Sequence, residues 1–190
     1  SRIEPFTADT FNGATHLLVS PGVSLSEPFI ADALNNGAKS ISDIDLFASL
    51  AKSPIVAISG ANGKSTVTTM LGEMAQASGK NVGVGGNLGT PVLDLLCDDI
   101  QLYVLELSSF QLERTYVLNA VAATVLNISA DHLDRHGDLI TYAKSKERVF
   151  AGDGVMVLNH DDDMVYAMRD TQRKTLTFSL KQQADFYLDQ

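Results

Sequence analysis

The stretch from Ile55 to Thr66 constrains this chain most, because it joins an apolar segment to a glycine-containing turn and then to a helix. The segment 55–58 is short, apolar and rich in β-branched residues, which predicts a buried strand. Residues 67–78 predict a helix that stops at Gly79. A strand, a tight turn and a helix N-terminus form an anion site, since free N–H groups and the helix dipole both face the turn.

The turn matches a shortened P-loop, the phosphate-binding loop of many nucleotide-binding proteins. The common pattern has a glycine five residues before Gly63, and this chain has Ile58 there. The pattern therefore predicts a nucleoside-triphosphate site with the residues Gly60, Asn62, Gly63, Lys64, Ser65 and Thr66. The alternative is a glycine-rich turn that contains a Lys-Ser pair by chance.

Each residue type in the turn suits this chemistry. Gly60 and Gly63 let a phosphate approach the backbone, because no Cβ stands in the way. Lys64 adds a full positive charge. The hydroxyl of Ser65 or of Thr66 can bind Mg²⁺.

Composition excludes several other classes of protein. The 190 residues have a formal net charge of −9, which argues against binding to nucleic acid or to an anionic membrane. Cys97 is the only cysteine, so a disulfide framework and a cysteine-based metal site are excluded. No apolar run has membrane-spanning length, and no signal peptide opens the chain. We therefore expect a cytoplasmic protein with no nucleic-acid or membrane partner. Independently of composition, we expect a monomer that acts on small molecules.

The order of predicted elements indicates an α/β protein. Residues 1–42 predict an incomplete domain with strands at 16–19 and 40–42 around a helix at 27–36. After a helix at 43–50, strands are predicted at 55–58, 82–84, 102–105, 120–126, 155–158, 176–178 and 184–188. Further helices are predicted from Thr90 to Cys97, at 139–150 and at 161–169. Apolar strands that alternate with helices predict a mostly parallel sheet, covered on both faces, with all carboxyl ends at one edge.

Polar residues follow several of these strands directly. Asn87 lies in the Gly85–Gly89 loop, and Glu106 ends the strand at 102–105. An uncompensated carboxylate at that place is costly, so we predict that Glu106 binds Mg²⁺ beside the hydroxyl of the turn. The alternative is that Glu106 caps a helix that begins at Ser108.

Two further residues are candidates for chemistry. His132 lies just past a strand end with Asp131 and Asp134 nearby, so it is either a packed histidine or a ligand to metal or substrate. Lys146 falls on the apolar stripe of the helix predicted at 139–150. A lysine there must snorkel, pair with a carboxylate or lose its charge. Carbamylation by CO₂, which would make it an anionic metal ligand, is the remaining alternative.

Together these residues resemble the Mur ligases of bacterial cell-wall synthesis, over essentially the whole chain. The similar motifs are Gly60-Ala61-Asn62-Gly63-Lys64-Ser65-Thr66, Gly85-Gly86-Asn87-Leu88-Gly89, Leu105-Glu106-Leu107-Ser108-Ser109-Phe110-Gln111-Leu112-Glu113, Asp131-His132-Leu133-Asp134-Arg135 and Tyr142-x-x-x-Lys146. The second and third resemble most the family member whose substrates are UDP-N-acetylmuramoyl-L-alanine and D-glutamate.

The resemblance implies a domain organisation. Residues 1–42 would be the second half of an N-terminal, Rossmann-like domain that binds the UDP-linked substrate. Residues 43–190 would be a P-loop-type ATPase domain, incomplete at its C-terminal end. The family's C-terminal domain, which binds D-glutamate, would lie outside the chain.

The resemblance also implies a reaction and roles for residues. The reaction is ATP-driven amide formation through an acyl phosphate, with two Mg²⁺ ions. Lys64, His132 and Lys146 would be catalytic. Ser65 and Glu106 would bind one ion, and His132 with a carbamylated Lys146 the other. The implied contacts to the UDP-linked substrate come from Ser20, Pro21, Gly22, Asn87 and Ser108.

Two other functions stay open at this point. One is a different Mur-type or folylpolyglutamate-type ligase, which its amino-acid acceptor would distinguish. The other is a non-catalytic P-loop domain, which would bind nucleotide tightly without any sugar-peptide substrate.

Overall fold

The computed structural model describes residues 6–7 and 9–188, which form two separate parallel sheets. The extreme ends of the predicted ranges 1–42 and 43–190 lie outside these residues. No helix within them is long and apolar enough to cross a bilayer.

The first sheet has two strands, β1 (His16–Leu18) and β2 (Lys39–Ile41), which pair in parallel. The helix between them, α1 (Pro28–Asn35), begins where sequence predicts. Proline suits its first position, and the Glu27 carboxylate accepts hydrogen bonds from the N–H groups of Phe29 and Ile30. A small core of its own lies between helix and strands, and its buried members are Leu17, Val19, Ile30, Ala33 and Ala38.

The second sheet has seven strands in the order β4-β5-β3-β6-β7-β8-β9, and every pair is parallel. Its strands are β3 (Ile55–Ser59), β4 (Val82–Gly86), β5 (Leu102–Glu106), β6 (Ala122–Val125), β7 (Val155–Asn159), β8 (Thr175–Ser179) and β9 (Phe186–Tyr187). The helices are α2 (Asp43–Leu50), α3 (Lys64–Ala77), α4 (Ser109–Leu112), α5 (Leu133–His136), α6 (Leu139–Glu147) and α7 (Asp163–Tyr166). The prediction of a mostly parallel α/β sheet is confirmed.

Apolar side chains cover both faces of this sheet, as the near-continuous apolar strands predict. On one face Ala57 and Leu105 pack into a large core with Phe47 of α2. On the other face Ile58 and Val104 pack beneath α3. Successive residues of a strand point to opposite faces, so one apolar strand contributes to both cores. β9, at the edge, is exposed.

The structure corrects three of the predicted helices. The segment from Thr90 to Cys97 is not an α-helix and has only a short 3₁₀ turn at Val92–Leu95. Thr90 bridges back to Gly85, and the Tyr103 hydroxyl holds the backbone of Cys97, so both ends are tied to the sheet. The helix predicted at 139–150 ends at Glu147 and tightens into a 3₁₀ turn, and that predicted at 161–169 is only α7. α5 was not predicted, and α4 was expected only in the alternative in which Glu106 caps a helix that begins at Ser108.

The packing of α3 on β4 leads to a test. A Cβ added at Gly72 in α3 would lie 2.6 Å from Cγ2 of Val84. Gly72→Ala should therefore lower the free energy of unfolding by about 1–3 kcal/mol through overpacking, although alanine is the better helix former. In a Val84→Ala background the same change should be neutral or stabilising. Urea denaturation of the four proteins measures both effects, and an equal loss in both backgrounds would contradict this packing.

Candidate active site

The carboxyl ends of four neighbouring strands lie side by side and form the candidate site. In the paired register Ile58 of β3 lies opposite Glu106 of β5, and Glu106 lies opposite Gly86 of β4. Ser59 lies opposite Val125 of β6 on the other side. The P-loop-like turn and the loops that follow β4, β5 and β6 therefore start from one edge, where open α/β sheets bind ligands.

Two glycines in the turn have backbone angles that favour glycine. Gly60 has φ 148°, and a Cβ there would lie 3.0 Å from Cβ of Leu126. Gly63 is left-handed with φ 81° and precedes α3 without a side-chain cap. Glycine has no side chain that could cap the first N–H groups of α3, and an uncapped helix end of this kind suits the binding of an anion.

An asparagine after β6 braces the turn. The Asn127 side chain accepts a hydrogen bond from Asn62 N at 2.8 Å and donates one to the Asn62 carbonyl at 3.0 Å. Its backbone carbonyl accepts from Ala61 N at 2.9 Å. The Asn62 side chain also donates to Ser129 Oγ at 3.3 Å. These bonds hold the turn in one shape before any ligand arrives.

Lys64 is the first residue of α3, and its side chain folds back over the turn. Its Nζ donates to the Ala61 carbonyl at 3.0 Å. This position keeps the ammonium charge beside the uncapped helix end, where both would attract a phosphate. Both residues with candidate hydroxyls are exposed, and Ser65 is the one whose hydroxyl reaches Glu106 of the neighbouring strand.

Glu106 is 2% exposed and has two neutral partners. One carboxylate oxygen accepts from Ser65 Oγ at 2.7 Å and the other from Asn87 Nδ2 at 2.8 Å. The residue thus joins α3 to the loop after β4. No ion pair among residues 6–7 and 9–188 includes it.

The alternative role for Glu106, a cap on the following helix, is wrong. Ser108 itself caps α4, since its Oγ accepts from Gln111 N at 3.3 Å. The Gln111 side chain accepts in return from Ser108 N at 3.1 Å, which completes a capping box. The helix cap therefore does not use the Glu106 carboxylate.

The chemistry of these groups fits a hard cation. A buried carboxylate without a cationic partner is costly, and a carboxylate beside a hydroxyl is an oxygen donor set that Mg²⁺ prefers. Ser65 and Glu106 could therefore hold Mg²⁺, with phosphate oxygens completing its ligands.

Lys146 is 1% exposed, as its position on the apolar stripe of α6 predicts. Its Nζ donates to the Gly60 carbonyl at 2.9 Å and lies 4.6 Å from the centre of the Tyr142 ring. An ammonium buried to this degree does not snorkel, and no ion pair within the described residues includes it.

Burial lowers the pKa of Lys146 from 10.5 to about 7, and the charge of Lys64 acts in the same direction. Asp131 and Glu106 act in the opposite direction, with smaller effect. This lowering of the pKa favours the neutral amine of Lys146, which has a free lone pair.

His132 lies at the mouth of the site. It has a left-handed backbone, with φ 51°, and half of its side chain is exposed. Its Nε2 lies 3.5 Å from a carboxylate oxygen of Asp131, and its ring centre lies 4.9 Å from that of Phe110. The packed alternative is therefore only partly right, because one side of the ring contacts Phe110 and the other is open.

A cavity of about 120 Å³ brings many of the predicted residues together. It is lined by Lys64, Asn87, Ser108, Ser109, Phe110, Asp131, His132, Tyr142 and Lys146. Within the described part of the chain, no three His, Cys, Asp or Glu side chains gather into a metal-binding group.

The predicted residues Ser20, Pro21 and Gly22 do not line this cavity. These three residues follow β1 of the two-stranded sheet. Their loop contacts Arg114 and Arg135, which belong to the part of the chain built on the seven-stranded sheet, called here the large-sheet unit.

Sequence reasoning missed several residues. It predicts no role for Asn127 or Arg114, and Arg135 enters only as part of a motif. His136 was also missed, and it is buried with its Nε2 3.1 Å from Ser109 Oγ. Burial lowers the pKa of its imidazole. Only Asn127 gave a signal in the sequence, namely a polar residue directly after an apolar strand.

Comparison with known proteins agrees with the family resemblance of the sequence motifs. A family profile described as the Mur ligase middle domain matches residues 58–190. A UDP-N-acetylmuramoylalanine–D-glutamate ligase of Methylococcus capsulatus is 55% identical over 92% of this chain and 38% of its own length. A protein with the same name from Pseudomonas putida is 56% identical over 88% of this chain and 37% of its own length. The chain thus spans about two fifths of these relatives.

Solved structures show the same fold at low identity. A UDP-N-acetylmuramate:L-alanyl-gamma-D-glutamyl-meso-diaminopimelate ligase from Neisseria meningitides is 17% identical with a TM-score of 0.65, and the match covers 92% of this chain and 62% of that one. A pseudomurein peptide ligase type C from Methanothermus fervidus is 22% identical with a TM-score of 0.56, covering 93% and 38%. Because the middle-domain profile matches well over half of the residues, the chain belongs to the Mur ligase family.

Proposed function

We propose that this chain is part of an ATP-dependent ligase that joins D-glutamate to UDP-N-acetylmuramoyl-L-alanine. The observation that supports this most is the 55% identity, over 92% of the chain, to a relative that bears the name of this activity. The uncapped α3 turn beside Lys64, Glu106 and Lys146 gives that activity a physical basis. The expectations of a monomer and of a cytoplasmic location stay predictions.

The domain organisation is part of the proposal. Residues 1–42 form half of the domain for the UDP-linked substrate, and residues 43–190 form most of the ATPase domain. Two separate sheets, each with its own core, support a boundary between β2 and α2. The D-glutamate contacts lie in a part of the longer protein that is not in this chain.

The α3 turn binds the phosphates of ATP. The N–H groups of the turn and of the first turn of α3 donate to phosphate oxygens, and Lys64 places its ammonium against their charge. The residues of this phosphate site are Gly60, Asn62, Gly63, Lys64, Ser65 and Thr66. Asn127 contributes indirectly, since it holds the turn in shape.

Ser65 and Glu106 would hold Mg²⁺, and His132 with a carbamylated Lys146 would hold a second ion. When bound, the ions offset the charge of the phosphate and carboxylate oxygens, so that the anions can meet. Lys146 becomes a ligand when its neutral amine attacks CO₂, forms an N–C bond and releases a proton. Its burial and lowered pKa favour the neutral amine that this step needs.

Asn87 and Ser108 orient the muramoyl-alanine end of the substrate from the wall of the cavity. Its carboxylate oxygen attacks the γ-phosphorus of ATP, ADP leaves, and an acyl phosphate forms. The D-glutamate amine then attacks the acyl carbon, loses a proton, and phosphate leaves. The chain's residues contribute mainly positioning and charge neutralisation.

Lys64 tests the phosphate site and the activity together. In the full-length protein that contains this sequence, formation of the D-glutamate amide should depend on ATP. Lys64→Ala should lower kcat/KM by about 10²-fold or more, the usual cost of removing a charge that stabilises the transition state. Amide formation and ADP release measure this. The matched control is Lys52→Ala, which removes an exposed lysine paired with Asp98 and should leave the activity at the wild-type level.

Near-normal turnover in Lys64→Ala would contradict the phosphate site. The absence of D-glutamate ligation in the wild type would contradict the function.

Glu106 tests the metal site. Glu106→Gln keeps the shape of the side chain but removes its charge, so the full-length enzyme should need more Mg²⁺ to reach half of its maximal rate, by about tenfold. Titration of activity with Mg²⁺ measures the shift. Glu73→Gln, an exposed change on α3, is the control. An unchanged Mg²⁺ requirement would show that Glu106 only joins α3 to the loop after β4.

Lys146 tests the carbamate. Lys146→Arg should be inactive although it keeps a positive charge, because a guanidinium does not take up CO₂ as an amine does. Lys146→Ala should regain part of its activity when a short carboxylic acid is added as a substitute for the carbamate. Lys144→Arg, on the exposed side of the same helix, is the matched control. Full activity of Lys146→Arg would eliminate the carbamate.

A further inference from the structure

The loop from Ser20 to Val23, which follows β1, is held by two arginines of the large-sheet unit. We call it loop 20–23. Arg114, after α4, donates from Nη1 to the Ser20 carbonyl at 3.2 Å and from Nη2 to the Val23 carbonyl at 2.7 Å. Arg135, in α5, donates from Nη2 to the Pro21 carbonyl at 3.0 Å. Three carbonyl oxygens of the loop therefore accept hydrogen bonds from guanidinium groups.

Both arginines are themselves held in place. Glu113 forms an ion pair with Arg135 and lies 3.8 Å from Nε of Arg114. The Arg135 guanidinium stacks on Phe110, 4.5 Å from the ring centre. The Arg114 side chain is only 12% exposed. A guanidinium fixed in this way loses little further freedom when it forms its hydrogen bonds.

This arrangement prepares the loop for an anion. Carbonyl oxygens repel a phosphate, whereas N–H groups attract it. Contacts to Arg114 and Arg135 hold the oxygens against the large-sheet unit, and the two guanidinium groups with the Glu113 carboxylate leave one net positive charge behind the loop. Nothing lies within 4 Å of a Cβ built at Gly22, so the space beside the loop is open to a ligand.

The same contacts connect the loop to the cavity. Phe110, on which Arg135 stacks, lines the cavity and contacts the His132 ring. The proposed substrate has a diphosphate in its UDP part and, at its other end, the carboxylate that reacts. Arg135 therefore fixes the position of the loop relative to the wall where the carboxylate reacts.

We infer that Arg114 and Arg135 are positioning residues that hold loop 20–23 in the conformation that receives the diphosphate of a nucleotide-linked substrate. This inference depends on the proposed function, whose UDP-linked substrate carries a diphosphate, and on the contacts that the family resemblance implies at Ser20, Pro21 and Gly22. The inference gives two residues of the proposed ATPase domain an indirect role in binding the diphosphate, which contacts the proposed N-terminal domain.

Arg114 gives the cleaner test, because its guanidinium hydrogen bonds go to the loop. UDP is titrated into the full-length protein by calorimetry, with a non-hydrolysable ATP analogue present to fill the α3 turn. Arg114→Gln loses two charge-assisted hydrogen bonds, so the Kd for UDP should rise about tenfold. Arg114→Lys keeps the charge but reaches one carbonyl at most, so its Kd should lie between the two.

Arg148→Gln is the matched control. Its guanidinium stacks on Tyr116 at 4.7 Å from the ring centre, much as Arg135 stacks on Phe110, but it does not contact the loop. Its Kd for UDP should equal that of the wild type. The Kd for the ATP analogue is measured on every variant, since damage that spread through the ATPase unit would weaken that binding as well.

Three results would overturn the inference: equal UDP affinity in Arg114→Gln and wild type, equal losses of UDP and ATP-analogue affinity, or a wild type that does not bind UDP. The proposed function fails by a different result, namely a wild type that does not join D-glutamate to the UDP-linked substrate. UDP binding is measured without ligation, so the two failures are distinguishable.

Discussion

Parallel pairing of the four strands β4, β5, β3 and β6 determines almost everything at the site. It puts Glu106 between Ile58 and Gly86, so that one carboxylate reaches both α3 and the loop after β4. It also puts the end of β6 beside the turn, where Asn127 braces it. If β5 slipped by one residue, its side chains would exchange faces and the carboxylate would leave the site.

Two buried ionisable groups define the chemical character of this edge. Glu106 and Lys146 are both almost fully buried, yet they do not form an ion pair with each other. Glu106 has a hydroxyl and an amide as partners, and Lys146 has a carbonyl oxygen. A core built only for stability would pair such charges or omit them. Their separate hydrogen-bond partners are neutral, as in a site that receives charge from its ligands.

Much of the fold and of the candidate site could be predicted from the sequence, because these features depend on local sequence patterns. The apolar strands, the glycine turn and the helical position of Lys146 depend on residues close in sequence. The left-handed backbone of His132 and the 3₁₀ turn before Cys97 could not be predicted, since distant contacts override local preference there. Contacts of Arg114 with loop 20–23 join residues more than 90 positions apart, and no periodicity encodes them.

The exposed edge strand β9 has a consequence for how the seven-stranded sheet can be extended. Phe186 and Tyr187 are 63% and 51% exposed, and only one side of their strand is paired, with β8. An apolar strand with a free row of N–H and C=O groups is a template on which another chain can add a strand. Within the described residues, this edge of the sheet is therefore a place where a further strand can pair, and three strands separate it from β3 and the turn that follows it.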